Sequence, residues 1–192
     1  MKPWIPPEQI CRLGVMCIDP GFEAGLAVVS LDGAEPKIVY VDALKMEKQA
    51  KKKKILVADD DFQRGAGIWR WWDAVYQQIG TLVAVCAETG AGGQSASAVK
   101  VMSYAKAQAG DFALAKGVPF LTSSPQACKK AATGRKNASK EQVWTAMMEL
   151  HPHLHWSRFP KYLLDEAADA CAVWEACKNA TEIQMAVKFA KL

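Results

Sequence analysis

Hydrophobic positions follow two different periods along this chain. From Leu13 to Ile18, Gly25 to Ser30 and Lys37 to Leu44 they gather in short β-rich runs. Pro20-Gly21 and the segment LDGAEP separate these runs, a pattern that predicts a meander of three antiparallel strands. From Phe62 to Ile79 the period lengthens. Ile68, Trp71, Trp72, Val75 and Ile79 recur every three or four residues, the spacing of one helix face, while Trp69 and Arg70 fall off the stripe. The tryptophans read as packing residues rather than as platforms for stacked bases.

The strand pattern returns in TLVAVCAE, which ends at Glu88. TGAGGQS then reads as a glycine-rich turn, Ala96 to Lys116 as a long helix, and VPFLTSS as a fifth strand. Pro125 to Ala132 predicts a short helix and TGRKNAS a basic loop. Ser139, three residues before Gln142, has the spacing of a capping box and opens a helix running to about Leu150. The last helix begins near Leu164 and carries Ala167, Ala170, Cys171, Trp174 and Cys177 as its apolar stripe. No repeat or long linker divides the chain. The expectation is one α/β domain over residues 1–192, a mixed five-stranded sheet with antiparallel strands first and parallel strands after, flanked by helices.

Composition adds exclusions. With 51% hydrophobic and 23% charged residues in 192, the chain can build a substantial core and is not a disordered protein. A net charge of +4 permits a polyanionic partner without requiring one. The Lys51 to Lys54 run reads as a solvated loop or helix face, direct DNA contact being the alternative. Cys11, Cys17, Cys86, Cys128, Cys171 and Cys177 form no Cys-x-x-Cys pair, which argues against zinc and against a secreted disulfide scaffold. No apolar run approaches the ~20 residues of a membrane span, and MKPWIPPEQICRLG holds no signal core, so the expected compartment is the cytoplasm. His151, His153 and His155 alternate in HPHLH, but Pro152 breaks the helix there and no acid or cysteine stands at zinc spacing. The segment is expected to be a surface loop. GAGG lacks the Gly-Lys-Ser/Thr ending of a phosphate loop, and its glycines serve a tight turn or close approach to a DNA backbone.

The acids carry more. Asp19 and Glu88 each end an apolar strand just before glycines, and a mixed sheet can bring two such ends together. Glu166 and Asp169, three apart, share one helix face, with Asp165 able to join from the other side. Four carboxylates in one place are unfavourable unless cations neutralise them, and oxygen-only ligands suit magnesium or manganese. The alternative is separate local roles: Asp19 in a turn, Glu88 capping a helix, and the last acids at a helix N-terminus where the macrodipole favours them.

The ordered set CIDPGFEAGLAVV, VAVCAETGAGGQSASAVKVMSYAKA, PQACKKAATGRKNASKEQV and DEAADACAVW resembles the RuvC family of Holliday-junction resolvases, within the RNase H-like superfamily, over nearly the whole chain. That resemblance implies an RNase H-like fold and a homodimer that nicks two strands of a four-way junction symmetrically, with magnesium, in DNA recombination and repair. It places metal-binding and catalytic carboxylates on Asp19, Glu88, Glu166 and Asp169, with two ions about 4 Å apart on the scissile phosphate. The family usually has Asp or His where this chain has Glu166. Asp165 is therefore an alternative ligand, and Glu166 is favoured because it keeps the three-residue spacing. Lys129 and Lys140 match the family's basic positions, and Lys130, Arg135 and Lys136 add charge for a DNA backbone. Taken singly, ordinary surface charge is the favoured reading for these last three, and the matched motifs reverse it for Lys129 and Lys140 only.

The resemblance further implies 5′-phosphate and 3′-hydroxyl products. Relatives commonly carry an aromatic or bulky wedge shortly after the second acid, whereas Thr89 to Gln94 holds none, so forks and flaps are expected substrates beside four-way junctions. Departures from the bacterial pattern point to a phage or organellar relative, with a phage protein acting in host cytoplasm favoured. The stripe Ala98, Val101, Met102 and Ala105 is the expected dimer face. Competing functions are an idle junction-binding module, an RNase H or exonuclease on the same acids, and an actin-like ATPase, which would need a second such domain.

Overall fold

The structure is a computed structural model and describes residues 8–49, 55–90 and 96–191. The Lys51 to Lys54 run and positions 91–95 of the glycine turn lie outside them. Strands β1 (Cys11–Asp19), β2 (Glu23–Ser30) and β3 (Lys37–Lys45) form the expected antiparallel meander. Strands β4 (Ile79–Glu88) and β5 (Phe120–Ser123) join parallel, giving the sheet order β3-β2-β1-β4-β5. Val15 to Ile18 are fully buried because helices cover both faces, which is why β1 reads as a continuous apolar run rather than an alternating one.

Helices α1 (Val57–Tyr76) and α2 (Ala96–Ala115) cover one face. The core there joins Met16, Ile18 and Leu26 to Ile68, Trp72 and Phe112, so Trp71 and Trp72 pack as expected. The predicted limits of α1 need correction. It starts five residues earlier, with Leu56 at a cap position that offers no side-chain hydrogen bond and so leaves no mark in the sequence. It stops at Tyr76, and Ile79 opens β4; four residues after Val75, Ile79 falls in phase with the helical stripe by coincidence.

The other face carries α3 (Pro125–Thr133), α4 (Lys140–Leu150), α5 (Lys161–Cys177) and α6 (Thr181–Ala190). The α4 capping box forms as expected: the Gln142 backbone N–H donates to Ser139 Oγ at 3.2 Å, and the Ser139 N–H to Gln142 Oε1 at 3.0 Å. Helix α5 begins at Lys161 rather than near Leu164, after Pro160 and through the exposed Tyr162. Helix α6 was not expected; only Ile183 on it is fully buried, too little apolar stripe to read from sequence.

The histidine segment is more than a surface loop. His151 lies with Nε2 3.6 Å from Glu175 Oε1, and His153 Nε2 is 2.7 Å from the Ile38 carbonyl oxygen. Arg158, in the 3-10 turn Trp156–Arg158, donates to the Val41 carbonyl and pairs with buried Asp42 at 3.4 Å. His153 and Arg158 thus occupy backbone acceptors of the edge strand β3, where an exposed ladder would otherwise recruit another strand. All six cysteines are free and buried. Among the described residues no helix is long and apolar enough to cross a membrane.

Candidate active site

Side chains two apart on a strand share a face. Val15 and Cys17 on β1, and Ala84 and Cys86 on β4, belong to the core beneath α5, so the next residue of each row, Asp19 and Glu88, emerges at the same face. The parallel register Cys17↔Cys86 and Ile18↔Ala87 sets those two strand ends level. Asp19 also pairs across the sheet with Gly25 of β2. A Cβ at Gly25 would collide with the carbonyl oxygen of Glu166 and lie 3.1 Å from the Ala170 Cβ. Helix α5 therefore rests its backbone on β2 beside Asp19, and this contact carries Glu166 and Asp169 to the strand ends. Sequence reading missed Gly25, although a glycine inside a strand is the usual mark of such an approach.

Lys140, the first residue of α4, reaches into the cluster. Its Nζ lies 3.4 Å from Glu166 Oε1 and 3.8 Å from both Asp169 Oδ2 and Asp165 Oδ2. Asp165 is the most exposed of the three acids, its side chain 30% accessible against 13% for Glu166.

The electrostatics show what this crowding costs. Burial, then the negative charges of Asp169, Glu166 and Glu88, hold the Asp19 carboxyl well above the usual carboxylate range. Burial pushes Asp169 up to about 7; Lys140 opposes the rise, while Glu88, Glu166 and Asp165 add to it. Glu88 is raised by burial, against the pull of Cys128, Lys129 and Lys140. Lys140 moves the other way from burial alone: desolvation would lower it, and the carboxylates around it leave it raised.

Carboxyl groups crowded in this way call for positive charge, and the Lys140 ammonium supplies some. With the side chains set around that ammonium, no three His, Cys, Asp or Glu groups among the described residues stand in metal-ligand geometry. The donors nevertheless fit a hard divalent cation. Asp19, Glu88, Glu166 and Asp169 offer only oxygen donors, the set that such a cation prefers.

The basic residues divide. Lys129, Lys130 and Lys136 line one cavity of about 790 Å³ with Ser124 and Asn137, beside the N-terminus of α3. Arg135 stands apart, in a separate hollow with Gln142 and Glu149.

A mixed sheet of this order, covered by helices on both faces and carrying acids at the ends of β1 and β4, is the RNase H-like arrangement. The profile for crossover junction endodeoxyribonuclease RuvC matches residues 15–175, and the chain belongs to the RuvC family, divalent-metal-dependent nucleases that resolve DNA junctions. Three solved structures share the fold. RuvC of Thermus thermophilus is 20% identical with a TM-score of 0.61, covering 88% of this chain and 97% of its own. The T. thermophilus RuvC complex with Holliday junction substrate is 21% identical, at a TM-score of 0.59 and coverages of 85% and 94%. The yeast mitochondrial Holliday junction resolvase Ydc2 is 13% identical, with a TM-score of 0.59 and coverages of 97% and 85%. No curated protein sequence matches this chain significantly.

Proposed function

We propose that this chain, acting as one nuclease domain over residues 1–192, resolves four-way junctions and cuts forks and flaps by paired magnesium-dependent nicks. Asp19, Glu88, Glu166 and Asp169 would hold two ions. The observation that carries this is the convergence of the four acids from two strand ends and one helix. When bound, the ions supply an activated water and charge stabilisation at the departing 3′ oxygen.

The protein's own residues do the rest. Glu166 is favoured over Asp165 as a ligand because Asp19 feels the charge of Glu166, Asp169 and Glu88, and because Asp165 points further into solvent. Lys140 holds three acids together and places a positive charge where a scissile phosphate would approach. Lys129, Lys130 and Lys136 gather on one surface that suits a DNA backbone, with Arg135 a more distant contact.

Two nicks on a two-fold symmetric junction need two equivalent sites, so the active species is a homodimer. On α2, Val99 and Met102 are exposed and available for that contact. Ala105 is buried in its own subunit and Val101 half-buried, while the Ala98 side chain lies outside the described residues. Free, buried cysteines support action in a reducing cytoplasm, that of the host for a phage protein.

The test compares a four-way junction, a fork, a linear duplex and an RNA–DNA hybrid, each with and without magnesium. Nicking of the branched DNA alone is expected, with Asp19→Asn binding the junction but leaving it intact. Preference for the hybrid would make the protein an RNase H. Degradation from duplex ends would make it an exonuclease.

A further inference from the structure

Three residues beyond Asp19 the chain leaves the β1–β2 turn at Phe22, which is buried against the helical layer opposite the acids. The Arg64 guanidinium lies 3.7 Å from the Phe22 ring centroid, and the Tyr104 ring stands 6.4 Å away, tilted by 55°. Gly65 on α1 makes room for Tyr104: a Cβ there would come within 2.6 Å of the tyrosine ring and hydroxyl. A cavity of about 220 Å³ opens between the helices, lined by Phe22, Phe62, Val101 and Tyr104 together with Lys100 and Asp61. The Asp61 carboxylate is already engaged by Arg64 at 3.8 Å. That leaves Lys100 as the charge on offer.

Phe62 is 67% exposed, its ring open to a ligand at the rim of that cavity. The location narrows what that ligand is. Helices α1 and α2 follow β3 and β4, whose C-terminal ends lie at the same edge as that of β1, so both start at the carboxylate end of the sheet. Aromatic rings around a small space, beside one cation and at the nuclease end of the fold, match a flat heteroaromatic ring attached to a phosphate backbone.

We propose that this pocket accepts an unstacked nucleobase from the crossover of branched DNA, with Phe62 stacking on the base and Lys100 meeting a neighbouring phosphate. The proposal rests on the junction-resolving reading and adds to it the source of selectivity. Bases at a branch point are already partly unstacked, so placing one here costs less than extracting one from duplex.

The experiment measures junction and linear-duplex affinity in metal-free buffer for wild type, Phe62→Ala, Phe62→Trp and Lys100→Ala, with 5-iodouracil at the crossover for photocrosslinking. The expected results are a crosslink on the peptide holding Phe62 or Tyr104, and a loss of about tenfold in the junction-over-duplex preference for Phe62→Ala. Phe62→Trp should keep the preference, and Lys100→Ala should reduce the salt dependence of binding by about one phosphate contact. An unchanged preference in Phe62→Ala would overturn the assignment. So would a shift of that variant from dimer to monomer in sedimentation, which would give the face to a second copy of the chain. Wild-type junction nicking in magnesium is measured alongside, so failure of the nuclease reading shows separately from failure of the pocket. Circular dichroism of the variants confirms folding, which a substitution at so exposed a position leaves intact.

Discussion

Gly25 of β2 lies directly under the carbonyl oxygen of Glu166, with no room for a side chain between strand and helix. Because Gly25 is also the cross-strand partner of Asp19, one contact sets the height of α5 over the acid at the end of β1. Gly25→Ala is expected to push α5 outward, cost about 1–3 kcal/mol of stability and abolish nicking, since the acids would no longer meet. Urea titration and junction-nicking rates of the purified variant check this. A variant as active as wild type would show that α5 does not need that seat.

Glu166 and Asp165 separate on their surroundings. Glu166→Gln should remove nicking by a factor on the order of a thousand, while Asp165→Asn should cost only a few-fold, because it loses one exposed contact with Lys140. Single-turnover cleavage of a four-way junction measures both. The reverse order would move the ligand one residue earlier.

The metal-free fold should weaken as pH rises. Asp169 has a folded-state value of about 7, above that of an unfolded chain, so the folded state holds its proton more tightly. Its contribution is fully present below about pH 4 and is lost as pH passes through 7. Asp169→Asn is expected to be more stable than wild type at pH 8 by on the order of 2 kcal/mol without divalent cations, the gap closing toward pH 4. Thermal melts across that range, repeated with magnesium, test the sign. Magnesium should raise the melting temperature of wild type more than that of the variant.

Lys116 joins α1 to α2 far from the acids. Its Nζ is 2.5 Å from Asp73 Oδ1 and lies over the Tyr76 ring at 4.2 Å and the Phe112 ring at 5.2 Å. Lys116→Ala is expected to cost about 2 kcal/mol, combining a shielded ion pair with cation–π contacts. A fall in the urea midpoint at constant slope, with nicking retained under native conditions, is the expected result.

Met102 tests the dimer. Being 41% exposed, it can accept Met102→Asp without unfolding its own subunit. Sedimentation at micromolar concentration should show a shift toward monomer together with loss of paired, but not single, nicks. A dimer that persists would place the interface elsewhere.

Local pattern determined most of the elements. The meander, the strand ending at Glu88 and the Ser139 capping box each depend on neighbours a few residues apart, and such signals survive in a single sequence. The four acids were legible as candidates for the same reason: two end apolar strands and two stand three apart on a helix. The uncapped start of α1 and α6, with its single fully buried residue, carry no such local signal.

Tertiary structure alone decided the rest. That Asp19 and Glu88 stand level depends on the parallel register of β1 and β4, which pairs residues about seventy apart and has no local code. That Glu166 is more buried than Asp165 follows from how α5 rests on Gly25. The grouping of Lys129, Lys130 and Lys136 apart from Arg135 comes from how α3 leads into α4. Sequence specifies which groups can ionise or ligate, because that is a property of each side chain; whether they share one charge environment depends on distances that packing sets.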